Sequence, residues 1–241
     1  MHRFFAENID AAQGRAWLGG EDVKHIARVL RLGIGDEVTL CDGRGMDYLA
    51  RISAISREEA GFELLSSCKC PSEPLRRVTL YQGLPKAGKL ELAIQKCVEL
   101  GIYSIVPVAA ERSVVKLSPK EFEGKRTRYQ RVALEAAKQA GRGVIPEVKG
   151  LTTYYDADFS HHDLIIIAYE EERETGLKGL LRGSEAMDIA LIIGPEGGLE
   201  PKEVEALRAR GGVSVSLGRR ILRTETAGMA TLAMILYELE G

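Results

Sequence analysis

From residue 76 onward the sequence repeats one alternation, a short apolar run followed by a helical pattern, and this alternation constrains the fold most. The apolar runs read RVTLYQ, IYSIVPV, DLIIIAY, IALIIG and VSVSLG. Between them, apolar residues recur at helical spacing, for example at Leu90, Ile94, Cys97 and Val98. Strands that are buried on both faces read as continuous apolar runs. The alternation therefore predicts a parallel sheet covered by helices on both sides.

The first 70 residues have a different pattern. The segments EVTLCDG, DYLARISAI and GFELL predict short strands, and the residues between them have turn chemistry. One helical segment, EDVKHIARVLRLG, ends on Gly33. We therefore predict a small β-barrel with one helix. The two prolines of CPSEPLR disfavour regular structure, so we place a domain boundary there, with domains at residues 1–72 and 73–241.

Composition excludes few classes of protein. The 241 residues carry a formal net charge of −2, so binding of nucleic acid would have to depend on local basic patches. No apolar run reaches the length of a membrane span, and MHRFFAENID lacks the apolar core of a secretion signal, so we expect a cytoplasmic protein. Cys68 and Cys70 have no partner pair and no nearby histidine. We expect reduced thiols and no metal site.

The stretch GLPKAGKL resembles a phosphate-binding loop through the spacing of Gly83, Gly88 and Lys89. Such a loop continues with a serine or threonine that binds Mg²⁺, and here that position is Leu90. No later strand ends in an aspartate that could hold the metal. Nucleotide hydrolysis is therefore disfavoured. The stretch predicts a strand-to-helix turn whose lysines are solvated or contact an anionic ligand.

The stretch LIIGPEGGLEPKEVEAL predicts a buried strand, a glycine-rich turn and a helix. Gly194, Gly197 and Gly198 permit unusual φ angles and close approach of the backbone to a ligand. Ligands of parallel sheets bind beyond the carboxyl ends of the strands, where this turn must lie. The alternative is a tight connection with no ligand.

The stretch SLGRRILRTETAGMATLAMILYELEG repeats the arrangement after the last strand. It places Arg219, Arg220, Arg223 and Glu225 just before an apolar-faced helix. The alternative interpretation is a solvated charge cluster, with Thr224 or Thr226 capping the helix.

In this order, the last two stretches resemble the second and third signature motifs of the RsmE family. These ribosomal RNA small-subunit methyltransferases E belong to the SPOUT superfamily of knotted, S-adenosylmethionine-dependent enzymes. The resemblance extends over almost the whole chain. HRFF and HIARVLRLGIGDEVTLCDGRGMDYLARI resemble the family's PUA-like RNA-binding domain, and KLELAIQKCVELGIYSIVPVAAERSVVK resembles the start of its catalytic domain. Tyr129 departs from the family, where tryptophan is common, and we expect it to act as a packing aromatic.

The resemblance implies an α/β protein in which a small PUA-like β-barrel precedes a SPOUT-type parallel sheet with a trefoil knot. It implies S-adenosylmethionine as cofactor, no metal, a homodimer, and methylation of N3 of a specific uridine in 16S ribosomal RNA. Three loops would hold the cofactor: the end of LIIIAYEE, Ile193–Gly198 and Leu217–Arg223. The implied cofactor residues are Tyr169, Ile193, Gly194, Glu196, Gly197, Gly198, Leu217, Gly218, Ile221, Leu222 and Arg223.

The resemblance also suggests catalytic and RNA-binding residues. Arg223 would face the uridine, and Glu196 and Glu225 are both candidates for a general base. The candidate RNA ligands are Arg3, Arg28, Arg31, Lys86, Arg112 and Arg142. The apolar stripe Met229, Leu232, Ala233 and Leu236 on the last helix would pack against a second copy of the chain.

Two alternatives to this function stay open. One is a SPOUT methyltransferase that acts on another RNA position or on transfer RNA. The other is a catalytically silent RNA-binding or assembly protein that retains the fold, which the intact GPEGG and LRTETA stretches disfavour.

Overall fold

The computed structural model describes residues 1–86 and 88–240. The chain forms two compact units, each with its own sheet. The first contains Met1–Glu73 and Ala137–Ile145, and the second contains Pro74–Ala136 and Pro146–Gly241. The sequence pattern did not indicate that residues 137–145 return to the N-terminal unit.

The N-terminal unit contains a six-stranded sheet. Its strands are β1 (Arg3–Phe5), β2 (Asn8–Asp10), β3 (Arg15–Gly19), β4 (Glu37–Cys41), β5 (Met46–Ile55) and β6 (Glu59–Lys69), in the spatial order β1-β4-β5-β6-β3-β2. The pairing of β5 with β6 shifts register twice, after Leu49 and after Ile52. Such irregularities bend a strand and increase its twist, which helps the sheet to curl. The sheet is a half-barrel around a core that includes Phe4, Leu40 and Phe62.

The helix of this unit is shorter than the sequence pattern predicts. It consists of α1 (Glu21–Lys24), which continues as a π-helical turn over His25–Val29. The prediction that it ends on Gly33 was wrong, because Arg31 already adopts a left-handed conformation with φ 56°. Gly33 instead belongs to the following turn, where its amide donates to the Asp36 carboxylate at 2.8 Å.

Ala137–Ile145 is held to the N-terminal unit through Glu73. The Glu73 carboxylate accepts hydrogen bonds from the amides of Gly143 (2.8 Å) and Val144 (3.0 Å), and it forms an ion pair with Arg142. Burial raises the pKa of Glu73, but the Arg142 guanidinium and the two amides outweigh burial and bring that pKa below its ordinary value. Arg142 is 3% exposed. This burial disfavours the predicted role of Arg142 as an RNA ligand, since the guanidinium is enclosed by protein.

The second unit contains six parallel strands, as the continuous apolar runs predicted. They are β7 (Arg77–Gly83), β8 (Ser104–Val108), β9 (Glu147–Val148), β10 (Leu164–Ala168), β11 (Asp188–Ile193) and β12 (Gly212–Val215), in the order β12-β10-β11-β7-β8-β9. The helices are α2 (Lys89–Glu99), α3 (Pro119–Gln139), α4 (Leu177–Leu181), α5 (Pro201–Ala209) and α6 (Thr224–Glu240).

Several local features of this unit follow from its sequence. Pro201 begins α5, and a capping box between Glu200 and Glu203 satisfies backbone groups at the same end. Tyr129 stacks on Phe122 with ring centroids 5.5 Å apart, which fits its predicted packing role. None of the helices that the structure describes is long and apolar enough to cross a membrane. The trefoil knot stays a prediction.

The strand order positions the candidate site. Since β12, β10 and β11 are adjacent and parallel, their carboxyl ends lie at one edge of the sheet. The loops that follow these three strands therefore meet there, and the last of them leads directly into α6.

Candidate functional site

The three loops enclose a cavity of about 380 Å³, which we call the loop cavity. Lys89 of α2 and Thr224 and Ala227 of α6 complete its walls. All the predicted cofactor residues except Gly197 line it, namely Tyr169, Ile193, Gly194, Glu196, Gly198, Leu217, Gly218, Ile221, Leu222 and Arg223. The structure thus brings together residues from three segments of the chain that the sequence analysis selected separately.

The loop after β11 turns tightly and depends on glycine. The amide of Gly198 donates to the Pro195 carbonyl at 2.9 Å, and Gly198 has a φ of 72°. A Cβ atom at Gly198 would collide with the Glu170 carboxylate. A Cβ atom at Gly194 would lie 3.0 Å from the carbonyl carbon of Gly198. The φ angle therefore favours glycine at position 198, a side chain at position 194 would force the neighbouring backbone to shift, and the backbone of the turn forms part of the cavity wall.

Gly197 contacts protein rather than the loop cavity. Its carbonyl accepts a hydrogen bond from Arg112 at 3.2 Å, and Arg112 also donates to Glu200 at 2.8 Å. Arg112 was selected as an RNA ligand, but in this structure its guanidinium braces the glycine turn.

Buried neutral groups fix the carbonyls at the end of β11. The Thr224 hydroxyl donates to the Gly194 carbonyl at 2.6 Å and accepts from the Gln82 side-chain amide at 2.8 Å. The buried Tyr154 hydroxyl donates to the Ile193 carbonyl at 2.9 Å. Sequence reasoning missed Gln82 and Tyr154, because each is far in sequence from the loop that it supports.

Lys89 contributes charge to the loop cavity. Its ammonium lies 3.0 Å from the Oε1 atom of Glu196 and 3.4 Å from the Oε2 atom of Glu225. The hydrogen bond to Glu196 raises the pKa of Lys89, and Glu225 adds to that effect. The sequence predicts that this lysine is solvated or contacts an anionic ligand. In the structure its partners are the protein's own carboxylates.

Glu196 is held as an anion. Partial burial raises the pKa of Glu196, but hydrogen bonds from the backbone amides of Lys86 and Glu196 itself and from Lys89 outweigh it, and the pKa falls below its ordinary value. A general base works best with a pKa near the operating pH, so this environment is unfavourable for that role. The other candidate, Glu225, is buried and does not line the loop cavity.

Arg223 is exposed and lines the loop cavity. Its carbonyl accepts the amide of Ala227 at 2.8 Å, which places the residue at the start of α6. Within residues 1–86 and 88–240, its guanidinium forms no ion pair. The nearby Glu225 pairs with Lys89 rather than with Arg223.

The remaining candidate RNA ligands differ in their surroundings. Arg28, Arg31 and Lys86 are exposed. Arg3 is half-buried and forms an ion pair with Asp47 at 2.6 Å. The three exposed side chains are therefore the better candidates for contacts with phosphate groups.

One group of described side chains could hold a metal ion. Ligand atoms of His161, His162 and Asp188 lie within 4.8 Å of one another, and none of the three lines the loop cavity. Both ring nitrogens of His162 already have protein partners, the Tyr81 hydroxyl at 3.0 Å and the Asp188 carboxylate at 2.7 Å. We interpret this arrangement as a chain of hydrogen bonds with a structural role.

Comparison with known proteins identifies families and relatives that the chain is similar to. Residues 71–236 match the RNA methyltransferase domain, and residues 18–65 match the RNA methyltransferase PUA domain. The chain is 36% identical to the ribosomal RNA small subunit methyltransferase E of Bacillus subtilis, over 100% of this chain and 98% of that protein. The protein of the same name from Synechocystis is 33% identical, over 90% of this chain and 71% of that protein.

Two solved structures have a similar fold. The ribosomal RNA small subunit methyltransferase E from Neisseria gonorrhoeae, bound to S-adenosyl methionine, superposes with a TM-score of 0.83 at 30% identity, over 98% of this chain and 96% of that chain. A putative methyltransferase from Legionella pneumophila, in complex with the same cofactor, gives a TM-score of 0.77 at 28% identity, over 97% of this chain and 96% of that chain.

Proposed function

Because this chain belongs to the family of ribosomal RNA small subunit methyltransferases E, we propose that it methylates N3 of a specific uridine in 16S ribosomal RNA with S-adenosylmethionine. The observation that carries the proposal is the loop cavity, which lies at the carboxyl edge of three adjacent parallel strands and has in its wall an arginine, Arg223, that forms no ion pair with any residue the structure describes. Open parallel sheets bind their ligands at this edge.

The loop cavity fits the cofactor. Its volume of about 380 Å³ lies within the range of small-molecule sites. Aliphatic side chains such as Ile193, Leu217 and Leu222 offer apolar contacts for an adenosyl group, and the turn at Gly198 lets backbone atoms approach a ligand closely. Together these residues would bind S-adenosylmethionine mainly through apolar surface and backbone groups.

S-adenosylmethionine, when bound, supplies a methyl group attached to a positively charged sulfur. The protein must orient the uridine for in-line attack and stabilise the negative charge that spreads over the uracil oxygens when N3 loses its proton. Arg223 is suited to this task, since a guanidinium is always charged and offers several donors in a fixed fork. We assign proton acceptance to solvent, because Glu196 is held as an anion of low basicity.

The N-terminal unit would bind the RNA. Its exposed Arg28 and Arg31 carry positive charge that can pair with phosphates. We place the reaction in the cytoplasm, where small ribosomal subunits are assembled. Whether free RNA or an assembled subunit is the substrate is decided by the experiment below.

We also propose a homodimer formed through α6. The predicted stripe needs revision, because Leu232 is fully buried in the chain's own core. Met234 and Tyr237 of α6 are 43% and 82% exposed, and Ile221 beside the loop cavity is 77% exposed. These apolar side chains are the better candidates for contact with a second copy, and Ile221 belongs to the loop that lines the cavity.

Incubation with labelled S-adenosylmethionine tests the function. The substrates are small subunits isolated from cells that lack this enzyme, the 16S RNA extracted from them, and transfer RNA as a control. The modified base is then mapped. We expect a single N3-methyluridine in 16S RNA. Label at another position or in transfer RNA would favour a different methyltransferase specificity, whereas cofactor binding without transfer would favour a silent RNA-binding protein.

A further inference from the structure

The position of Lys89 suggests a role beyond cofactor contact. It is the first residue of α2, its ammonium reaches Glu196 in the loop after β11, and it also reaches Glu225 in the first turn of α6. One positive charge therefore joins the loop after β11 to the first turn of α6 and lies between two carboxylates.

The two carboxylates need that charge. The Glu225 side chain is only 9% exposed, and its Oε2 atom, which faces Lys89, makes no hydrogen bond with the part of the chain that the structure describes. Glu196 has fixed backbone donors as well as Lys89. Without Lys89, two neighbouring negative charges would lack their shared cation, which is costly for a buried group.

Arg223 is an available replacement cation, as is Arg220, which lines the same cavity. Arg223 lines the same cavity as Glu196 and precedes Glu225 by two residues. Its guanidinium has no ion-pair partner among the residues that the structure describes. An arginine in this position would be attracted to either carboxylate if Lys89 did not already bind both.

We propose that Lys89 is a positioning residue that binds Glu196 and Glu225 so that neither pairs with Arg223, leaving the Arg223 guanidinium available for the RNA substrate. This inference rests on the proposed function, in which Arg223 faces the uridine. It explains why the first strand-to-helix turn has a lysine where a phosphate-binding loop also has one. In this protein the lysine binds Glu196 and Glu225, so that their carboxylates do not pair with Arg223.

The test compares methyl transfer to small subunits by the full chain and its variants. Lys89→Met keeps the aliphatic stem and removes the charge. We expect kcat to fall by about tenfold to a hundredfold, the range for capture of a charged group in a hydrogen-bonded ion pair. The affinity for S-adenosylmethionine, measured by calorimetry, should change by less than about threefold, because the partners of the Lys89 ammonium are the two carboxylates and not the apolar and backbone groups assigned to the cofactor. Lys89→Arg should retain most of the activity, since it keeps a cation for the carboxylates.

Removal of the competing carboxylate supplies the decisive measurement. Lys89→Met/Glu225→Gln or Lys89→Met/Glu196→Gln should be more active than Lys89→Met alone, because the anion that captures Arg223 is gone. A purely structural role for Lys89 predicts recovery only as far as the double variants regain stability in urea unfolding, whereas the positioning role predicts a higher kcat than that of Lys89→Met in protein that is fully folded in both variants. Lys96→Met is the matched control on the same helix, since Lys96 pairs only with Glu99 near the surface in the described structure, and it should behave like wild type. If Lys89→Met does not fold, Lys89→Gln takes its place in the series.

Failure of the inference and failure of the proposed function give different results. If wild-type protein does not methylate small subunits, the proposed function is wrong. If wild type is active and Lys89→Met is equally active, or if neither double variant exceeds Lys89→Met, the role of Lys89 is wrong while the function stands.

Discussion

Replacement of Gly198 by alanine tests whether the conformation of the glycine turn matters for cofactor binding. Gly198 has a φ of 72°, and an added Cβ atom would collide with the Glu170 carboxylate across the loop cavity. The left-handed conformation costs a residue with a side chain roughly 1–2 kcal/mol. Glu170 is exposed, so its side chain can move away, and we expect the backbone strain to dominate.

The strain should appear in binding as well as in stability. A turn that relaxes to relieve the strain must return to the native conformation to line the loop cavity. The affinity for S-adenosylmethionine should then fall by roughly 5- to 30-fold, the factor that corresponds to 1–2 kcal/mol. Calorimetric titration of wild type and Gly198→Ala measures this change directly.

Gly211→Ala provides the matched control. Gly211 follows α5 with a φ of 88°, nothing lies within 4 Å of its added Cβ atom, and it does not line the loop cavity. Gly211→Ala should therefore lower the free energy of unfolding in urea by a similar amount, and the cofactor affinity of this variant should stay at the wild-type value. Equal cofactor affinities for Gly198→Ala and Gly211→Ala would refute the reasoning.

Three further predictions concern charge and assembly. Arg223→Ala should lower the rate of methyl transfer by about 10²–10³ in single-turnover assays while retaining cofactor affinity, because it removes one donor to developing charge; unchanged transfer would remove Arg223 from the active site. Glu73 has a lowered pKa, so its stabilisation is present above its ordinary pKa of 4.5 and is lost as the pH falls through the lowered folded value. Urea midpoints of wild type and Glu73→Gln should differ at pH 7 and converge toward pH 3, and a constant difference would contradict this linkage. Tyr237→Glu should shift the protein from dimer to monomer in sedimentation experiments and weaken cofactor binding, whereas a wild-type monomer with full cofactor affinity would contradict the proposed dimer.

The sheet of the second unit could be predicted from sequence because burial on both faces has a direct signature. IALIIG and DLIIIAY contain no polar residue that would have to face solvent within the strand, so parallel packing followed. The glycine turn was equally visible, since Gly194 and Gly198 relieve steric limits that act within a few residues of the chain. Local chemistry thus identified the three loops that the structure brings together.

Side-chain partners between distant segments could not be predicted in the same way. Gln82 reaches Thr224, and Arg142 reaches Glu73, through contacts that depend on the path of the whole chain. An arginine that is solvated and an arginine that is buried in an ion pair look alike in sequence. The end of the first helix was missed for a related reason, because Arg31 adopts a conformation that favours glycine.

Around the loop cavity, one set of residues makes neutral hydrogen bonds and a different set makes charged contacts. Gln82, Thr224 and Tyr154 fix backbone carbonyls through buried neutral hydrogen bonds, and these contacts determine the shape in which a cofactor would fit. Lys89 and its two carboxylates determine the charge that surrounds Arg223. Neutral buried hydrogen bonds are insensitive to salt and to moderate pH, whereas the exposed Arg223 guanidinium is screened by ions. Cofactor affinity should therefore depend weakly on ionic strength, and methyl transfer should depend on it strongly, even when the RNA concentration is saturating.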